Sequence, residues 1–297
     1  MTPQESAARD HADQASLFED GRQRLQTALA SVTPKHLIVG LITLILVAGQ
    51  FRYGILGSYW RLVTTLGTCI TAEYVFSRLI PDRSASPVSA YITGVSLAIL
   101  IKPQSNILWP FFLGGVLSIG SKYVLRYRGR HLWNPSNFGI GILLLLSANH
   151  VAILSEQWGN ALGTNAVIWA VGLLVVYRAR MLHVTATYLA SFLGFAVLRS
   201  ALVGTPLLAE VAPVTGPMYQ LLVLFMITDP PTTVDDRKGR MLVAFSIAAV
   251  EMGIRLAADY HVGFISPLYH SPPILALFLV GPAAMLASQW KKTREGA

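Results

Sequence analysis

From residue 36 onward the chain is dominated by apolar runs that short polar or proline-bearing stretches interrupt. Ten such runs cover roughly 36–51, 58–80, 88–101, 107–125, 137–154, 161–177, 182–203, 214–228, 241–258 and 273–290. A hydrocarbon core about 30 Å thick takes about 20 helical residues to cross, and fewer where a helix is broken or re-entrant. The runs therefore predict about ten transmembrane helices, the third and eighth of them short. No long hydrophilic block separates them, so residues 35–290 read as one all-α polytopic membrane domain. Residues 1–34 mix both signs of charge, with Leu17, Phe18, Gly21, Leu25, Ala28 and Leu29 at helical spacing. That pattern fits a short amphipathic helix or a solvated cytoplasmic extension. Residues 291–297 read as a cytoplasmic basic tail.

Composition strengthens this reading. Apolar residues make up 53% of the 297 and charged residues only 13%, with a mean hydropathy of +0.52. A soluble domain carries about 25% charged residues, so a soluble enzyme, a disordered chain and a disulfide scaffold are excluded. The net charge of +8 does not imply a nucleic-acid partner, because little solvated basic surface is left to form one. It reports orientation instead, since cytoplasmic loops are enriched in Lys and Arg. With the N-terminus inside, 18 of the 23 Lys and Arg fall on the inner side, and Arg52, Arg61, Lys102, Arg199 and Arg255 on the outer. Both termini are then cytoplasmic.

Ten spans divide into five plus five, and an odd number per half forces two inverted repeats. The third run ends in Ile101-Lys102-Pro103 and its counterpart, the eighth, in Thr228-Asp229-Pro230. Trp133-Asn134-Pro135-Ser136 opens the fifth, while Ser266-Pro267 and Ser271-Pro272-Pro273 precede the tenth. Paired short, Pro-interrupted segments point to a site near the membrane midplane.

An ionisable residue inside a span is costly and marks a functional candidate. Glu251 and Arg255 stand at i, i+4, the order that suits an intrahelical ion pair; they form either a structural pair or the lining of an ion or proton path. Glu73 leans toward Arg78 and the inner interface, and is a third ion-path candidate. Arg61 and Lys122 lie near span ends, where long side chains snorkel to water. His150 and His183 are isolated, His261 and His270 lack ligand spacing, and no metal site is expected. Cys69 reads as core packing, as do Gly139 and Gly141. Trp60, Trp109, Trp133, Trp158 and Trp290 fall near run ends, as an interfacial belt requires. The polar loop 229–240 and the basic stretch 127–131 could bind an ion, or simply record the charge asymmetry. No phosphate-binding glycine loop, nucleophile elbow or zinc-protease motif is present.

Two stretches carry a family resemblance. Gly94-Val95-Ser96, Lys102-Pro103, Trp109, Gly129-Arg130 and Asn134-Pro135-Ser136-Asn137-Phe138-Gly139, followed by Phe225-Met226-Ile227-Thr228-Asp229-Pro230, Thr232-Thr233 and Gly239-Arg240, resemble the NqrB/RnfD family of membrane electron-transport subunits. The small size is closest to the stand-alone branch often labelled enediyne biosynthesis protein UnbU. The resemblance implies a ten-helix fold of inverted repeats like that of ammonium and urea transporters. It implies a bacterial inner-membrane location, a role linked to electron transport, transmembrane ion transport or both, and redox or biosynthetic partner proteins. Its cofactor-site candidates are Asn134, Pro135, Gly139, Thr228, Asp229 and Thr232; Asp229 either serves the site or caps a neighbouring helix. Typical members attach FMN to the last Thr of an S/T-G-A-T motif. Here Thr215-Gly216 is followed by Pro217-Met218, so no covalent FMN is expected and non-covalent flavin stays open. A channel or carrier without redox chemistry is the alternative.

Overall fold

The computed structural model describes residues 34–80, 84–147, 150–153 and 161–295. The amphipathic pattern expected within residues 1–34 and the interfacial Trp158 lie outside the described residues. Residues Ile38–Ala297 hold together as one unit.

Every one of the ten apolar runs carries helix. In chain order these are α1 (Pro34–Tyr53), α2 (Tyr59–Leu79), α3 (Pro87–Leu100), α4 (Trp109–Val124), α5 (Pro135–Ser147), α6 (Leu162–Arg178), α7 (Leu182–Val203), α8 (Leu207–Val211), α9 (Pro217–Leu221), α10 (Arg237–Asp259) and α11 (Pro272–Glu295), with α8 and α9 sharing the eighth run. Among the described residues, α1, α7, α10 and α11 are long and apolar enough to cross a membrane, and α3, α5 and α6 are shorter apolar helices. The protein is all-α with membrane-type helices. The 21 residues of α2 are long enough but carry Arg61, Glu73 and Arg78.

Proline sets several starts: Pro87, Pro110, Pro135 and Pro272 stand in the first turns of α3, α4, α5 and α11, where a missing N–H leaves no bond unmade. Ser58 caps α2 and Asp236 caps α10, each accepting from a first-turn N–H, as short oxygen-bearing side chains do. Gly204 ends α7 at φ +78°, a left-handed conformation that costs glycine nothing.

Two runs differ from expectation. The fifth helix stops at Ser147, and Val151–Ile153 (β4) pairs antiparallel with Ile101–Pro103 (β1), Ile101 opposite Ile153. A continuous apolar run does not separate helix from buried strand; here the end of α3 supplies the edge, and Ile101 and Val151 are both buried. The eighth run starts earlier, at Leu207, and bends by 62° at Gly216, between residues 207–215 and 217–226. Glu210, within this earlier part, is buried against Arg199. Beyond α9 the turns Leu222–Met226 widen to π geometry, a local defect frequent at functional sites.

Packing falls into two sets. α2 lies along α3 and α4, and α4 along α5; α7 lies along α10, and α10 along α11. α5 against α11 joins them. Gly141 makes that seam possible, and Gly139 the close approach of α5 to α4 within the first set. A Cβ on Gly139 would stand 2.1 Å from Ser118 Oγ and 2.7 Å from the Gly114 carbonyl oxygen, and one on Gly141 2.5 Å from Phe278 Cδ2. A Cβ on Gly120 would meet Phe76 at 3.5 Å, ordinary contact. Gly139→Ala should therefore lower the stability of detergent-solubilised protein by about 1–3 kcal/mol through overpacking. Gly120→Ala should leave it unchanged or raise it by up to about 1 kcal/mol. Chemical denaturation followed by helical circular dichroism would show equal effects if the close approach were not real.

Candidate functional site

The residues of the two resemblance stretches, about a hundred positions apart, meet at the start of α5. A hairpin, Arg126–Tyr127 (β2) paired with Arg130–His131 (β3), turns through Arg128 and Gly129 at φ 51° and 81°. It presents Arg130 to the 229–236 segment: the guanidinium donates to the carbonyls of Thr233 (2.7 Å) and Pro230 (2.9 Å) and pairs with Asp235. Asn134 works in two directions. Its Oδ1 accepts from the Asn137 backbone N–H at 3.2 Å, capping α5, and its Nδ2 donates to Asp229 Oδ2 at 3.3 Å. Thr232 Oγ1 donates to the same carboxylate oxygen at 3.0 Å.

Trp133 adds a bond that proline creates. Pro282 inside α11 lacks the N–H that Phe278 O would otherwise accept; the Trp133 indole donates to that carbonyl at 2.9 Å. A narrow crevice with room for about one water molecule opens here, lined by Trp133, Asn134, Asn137, Thr232, Thr233 and the Gly281–Pro282 turn of α11. Asn137, 1% exposed, donates to Ile274 O at 2.8 Å. Its Oδ1 has no partner among the described residues. A bound donor would satisfy that oxygen.

Of the expected site residues, Asn134, Asp229 and Thr232 are brought together. Pro135 is the first residue of α5, Gly139 lies against α4, and Thr228 Oγ1 donates back to Leu224 O at 2.7 Å; none of these three lines the cavity. The Asp229 carboxylate accepts from side chains and makes no cap bond to the 3-10 turn that follows it. Arg130 and Asn137 went unremarked as site residues, Arg130 because it had been absorbed into the charge asymmetry. At the bend, Thr215 Oγ1 donates to Ala212 O at 2.7 Å, and Met218 offers no hydroxyl for a phosphoester.

A second polar group lies between α7, α9 and α10. Glu251, 1% exposed, accepts from Tyr188 Oη at 2.5 Å, from Arg255 Nε at 2.9 Å and from Tyr219 Oη. Arg255 also donates to Tyr219 Oη. One turn or more away, Arg199 holds Asp259 with two bonds of 2.7 Å and pairs with Glu210, which also accepts from Thr205 at 2.7 Å. A small gap with room for about one water molecule lies between the two groups, with Arg199, Glu210, Glu251 and Arg255 on its walls. Three carboxylates face two guanidiniums. The expected Glu251–Arg255 pair is thus present as part of a larger constellation. Arg199, embedded in the apolar run 182–203, was the overlooked signal.

Glu73 differs from expectation. Fully buried, it pairs with Lys122 on α4 at 2.5 Å and accepts from Tyr123 Oη (2.9 Å) and the Ser86 N–H (2.8 Å), with no bond to Arg78. Lys122 accordingly turns inward instead of snorkelling, because a carboxylate out of water needs a cation more than an ammonium near the surface needs solvent. Arg61 donates to Leu56 O at 3.1 Å, and His150 packs edge-on to Trp109 at 6.2 Å. No group of three or more His, Cys, Asp or Glu suited to a metal ion is found among the described residues.

Asp235 ties the 229–236 segment to the end of α11, accepting from Lys292 at 2.5 Å as well as from Arg130. The Lys292 hydrogen bond, aided by Arg130 and opposed by partial burial, holds its carboxyl below the ordinary 3.8. A depressed carboxyl stabilises the fold above pH 3.8 and loses that contribution as pH falls through its lowered value. In carbon-13 aspartate-labelled protein, Asp235 should titrate below 3.8 and move upward in Lys292→Gln. Burial ranks the ion pairs by weight. Glu73→Ala, which strands a half-shielded ammonium, should cost about 3 kcal/mol or more. Lys292→Ala, with both partners about half exposed, should cost about 1 kcal/mol or less. Equal denaturation midpoints for the two variants would contradict the assignment of Lys122 to Glu73.

No family profile matches the chain, and no curated protein matches it in sequence.

Proposed function

We propose that the chain is an NqrB/RnfD-like integral membrane protein of ten spans in two inverted five-helix halves, with both termini cytoplasmic in a bacterial inner membrane. Its role is linked to electron transport, to transmembrane ion movement or to both, without covalent FMN. One observation carries this reading: Asn134 in one half meets Asp229 and Thr232 of the other around a cavity holding an unsatisfied acceptor, Asn137 Oδ1. The resemblance stretches thus have a common spatial reason to exist. The repeated packing, α2 with α4 with α5 and α7 with α10 with α11, supports the two halves. A non-covalently bound flavin would supply one-electron chemistry. The crevice as it stands holds about one water, so Asn134, Asn137 and Thr232 would meet a flavin's polar edge only with α5 and the 229–233 segment drawn apart.

The visible spectrum of protein purified in gentle detergent tests this. A flavin band that is released by acid precipitation, and that weakens in Asp229→Asn at unchanged membrane insertion, is the expected result. A colourless preparation, also after flavin supplementation, would count against a flavoprotein.

The charge-lined cavity between Arg199 and Arg255 favours a second reading, a cation or proton carrier without redox chemistry. The buried Glu210 and Glu251 and the partly exposed Asp259 stand against two guanidiniums, leaving one negative charge that a proton or monovalent cation would neutralise. Under this reading, proteoliposomes should pass protons or cations above the empty-vesicle rate, and Glu251→Gln should abolish the difference. Flux of cations, ammonia and urea no greater than in empty vesicles would remove it.

A further inference from the structure

A third polar region shares Asp235 with the 229–236 segment described above. An open bowl of about 880 Å³ is walled by the end of α6, the start of α7 and the start of α10. Arg178, Arg180, Arg237 and Arg240 line it together with His183 and Asp235. We propose that this bowl binds a phosphate group, presented either by an anionic lipid headgroup or by a soluble phosphate.

Charge asymmetry alone does not account for it. That rule asks only for a number of cations on one side of the bilayer, whereas here four of them converge on one cavity. All four are arginine, whose planar fork matches phosphate oxygens in pairs. The only carboxylate in the wall, Asp235, is already held by Arg130 and Lys292. Arg178, Arg180 and Arg237 have no carboxylate partner among the described residues, and Arg240 spends its Nε on Val234 O at 2.8 Å. His183 brings a buried Nε2 without a partner. Arg180 is held at φ 58°, a left-handed conformation uncommon for a residue other than glycine.

Backbone geometry adds to the side chains. α7 begins at Leu182 and α10 at Arg237, both at the bowl; the start of α10 is already capped by the Asp236 carboxylate, so α7 offers the open N-terminal end. The first turn of a helix carries unsatisfied N–H groups and partial positive charge, which favour an anion. No side chain caps the start of α7. A basic pocket between membrane helices is also the kind of site that selects anionic headgroups. The inference rests on the bowl alone, and is independent of whether the protein moves electrons, ions or neither.

Native mass spectrometry of the full chain in detergent, incubated with phosphatidylglycerol or phosphatidylcholine, reads the lipid arm. Thermal stability in inorganic phosphate against chloride at equal ionic strength reads the soluble arm. The test variant is Arg180→Gln/Arg237→Gln. The control is Arg128→Gln/Lys291→Gln, which removes the same charge outside the bowl. Retention of phosphatidylglycerol that falls about tenfold or more in the test variant and less than about twofold in the control supports a headgroup. A phosphate-specific rise in stability, absent from the test variant alone, supports a soluble ligand. Equal losses in both variants would overturn the site. So would a wild type that prefers neither phosphatidylglycerol over phosphatidylcholine nor phosphate over chloride.

Discussion

A carboxylate removed from water costs several kcal/mol unless a cation and hydrogen-bond donors replace the solvent, and both packing sets are organised around one such group. In the first, Glu73 of α2 is met by Lys122 and Tyr123 of α4. In the second, Glu251 of α10 is met by Arg255 of its own helix, Tyr188 of α7 and Tyr219 of α9. The recipe is the same in each: an acid, a base and a phenol. The helices that must supply them are those that pack most closely on one another. Neutralising the acid therefore also selects helix neighbours and their register, because a helix displaced by one turn would strand a charge.

The seam between the sets depends on the opposite property, absence of side chain. Gly141 lets α5 approach Phe278 of α11, and Pro282 frees a carbonyl on α11 that the Trp133 indole takes up. Away from water each freed backbone group needs a replacement partner. The junction shows where those partners come from: Asn134 caps its own helix and clamps Asp229, and Arg130 covers the carbonyls of the 229–236 segment. Polar side chains that look scattered along the chain are thus set at breaks in the helices, which is also where a cavity and an unsatisfied amide oxygen remain.

Much of this was legible in the sequence, and the parts that were not have identifiable causes. The i, i+4 spacing of Glu251 and Arg255 was enough to expect their pair, since both lie on one helix. For Glu73 local spacing offered only the nearby Arg78 and the inner interface, whereas its cation comes from 49 residues away. The end of the fifth run was misread as helix because Val151–Ile153 finds a strand partner in Ile101–Pro103 that no local pattern announces. The eighth run was drawn from 214 and left out Leu207–Val211, whose Glu210 is buried against Arg199 in the fold. Arg130, Arg180 and Arg237 were each counted as a unit of charge on one side. Their separation into a clamp and a bowl depends on which helix ends come together.

What the amino-acid order alone determined is the set of ten helical runs, most of their limits and the proline and glycine breaks between them. Those follow from the cost of exposing backbone and apolar surface, which each residue pays in place. Only the tertiary structure decided which base meets which acid, where β1 and β4 pair, how sharply the chain bends at Gly216, and where buried polar atoms are left without a partner among the described residues. Charge pairing and cavity shape depend on distances between helices far apart in the chain, and local periodicity carries no information about them.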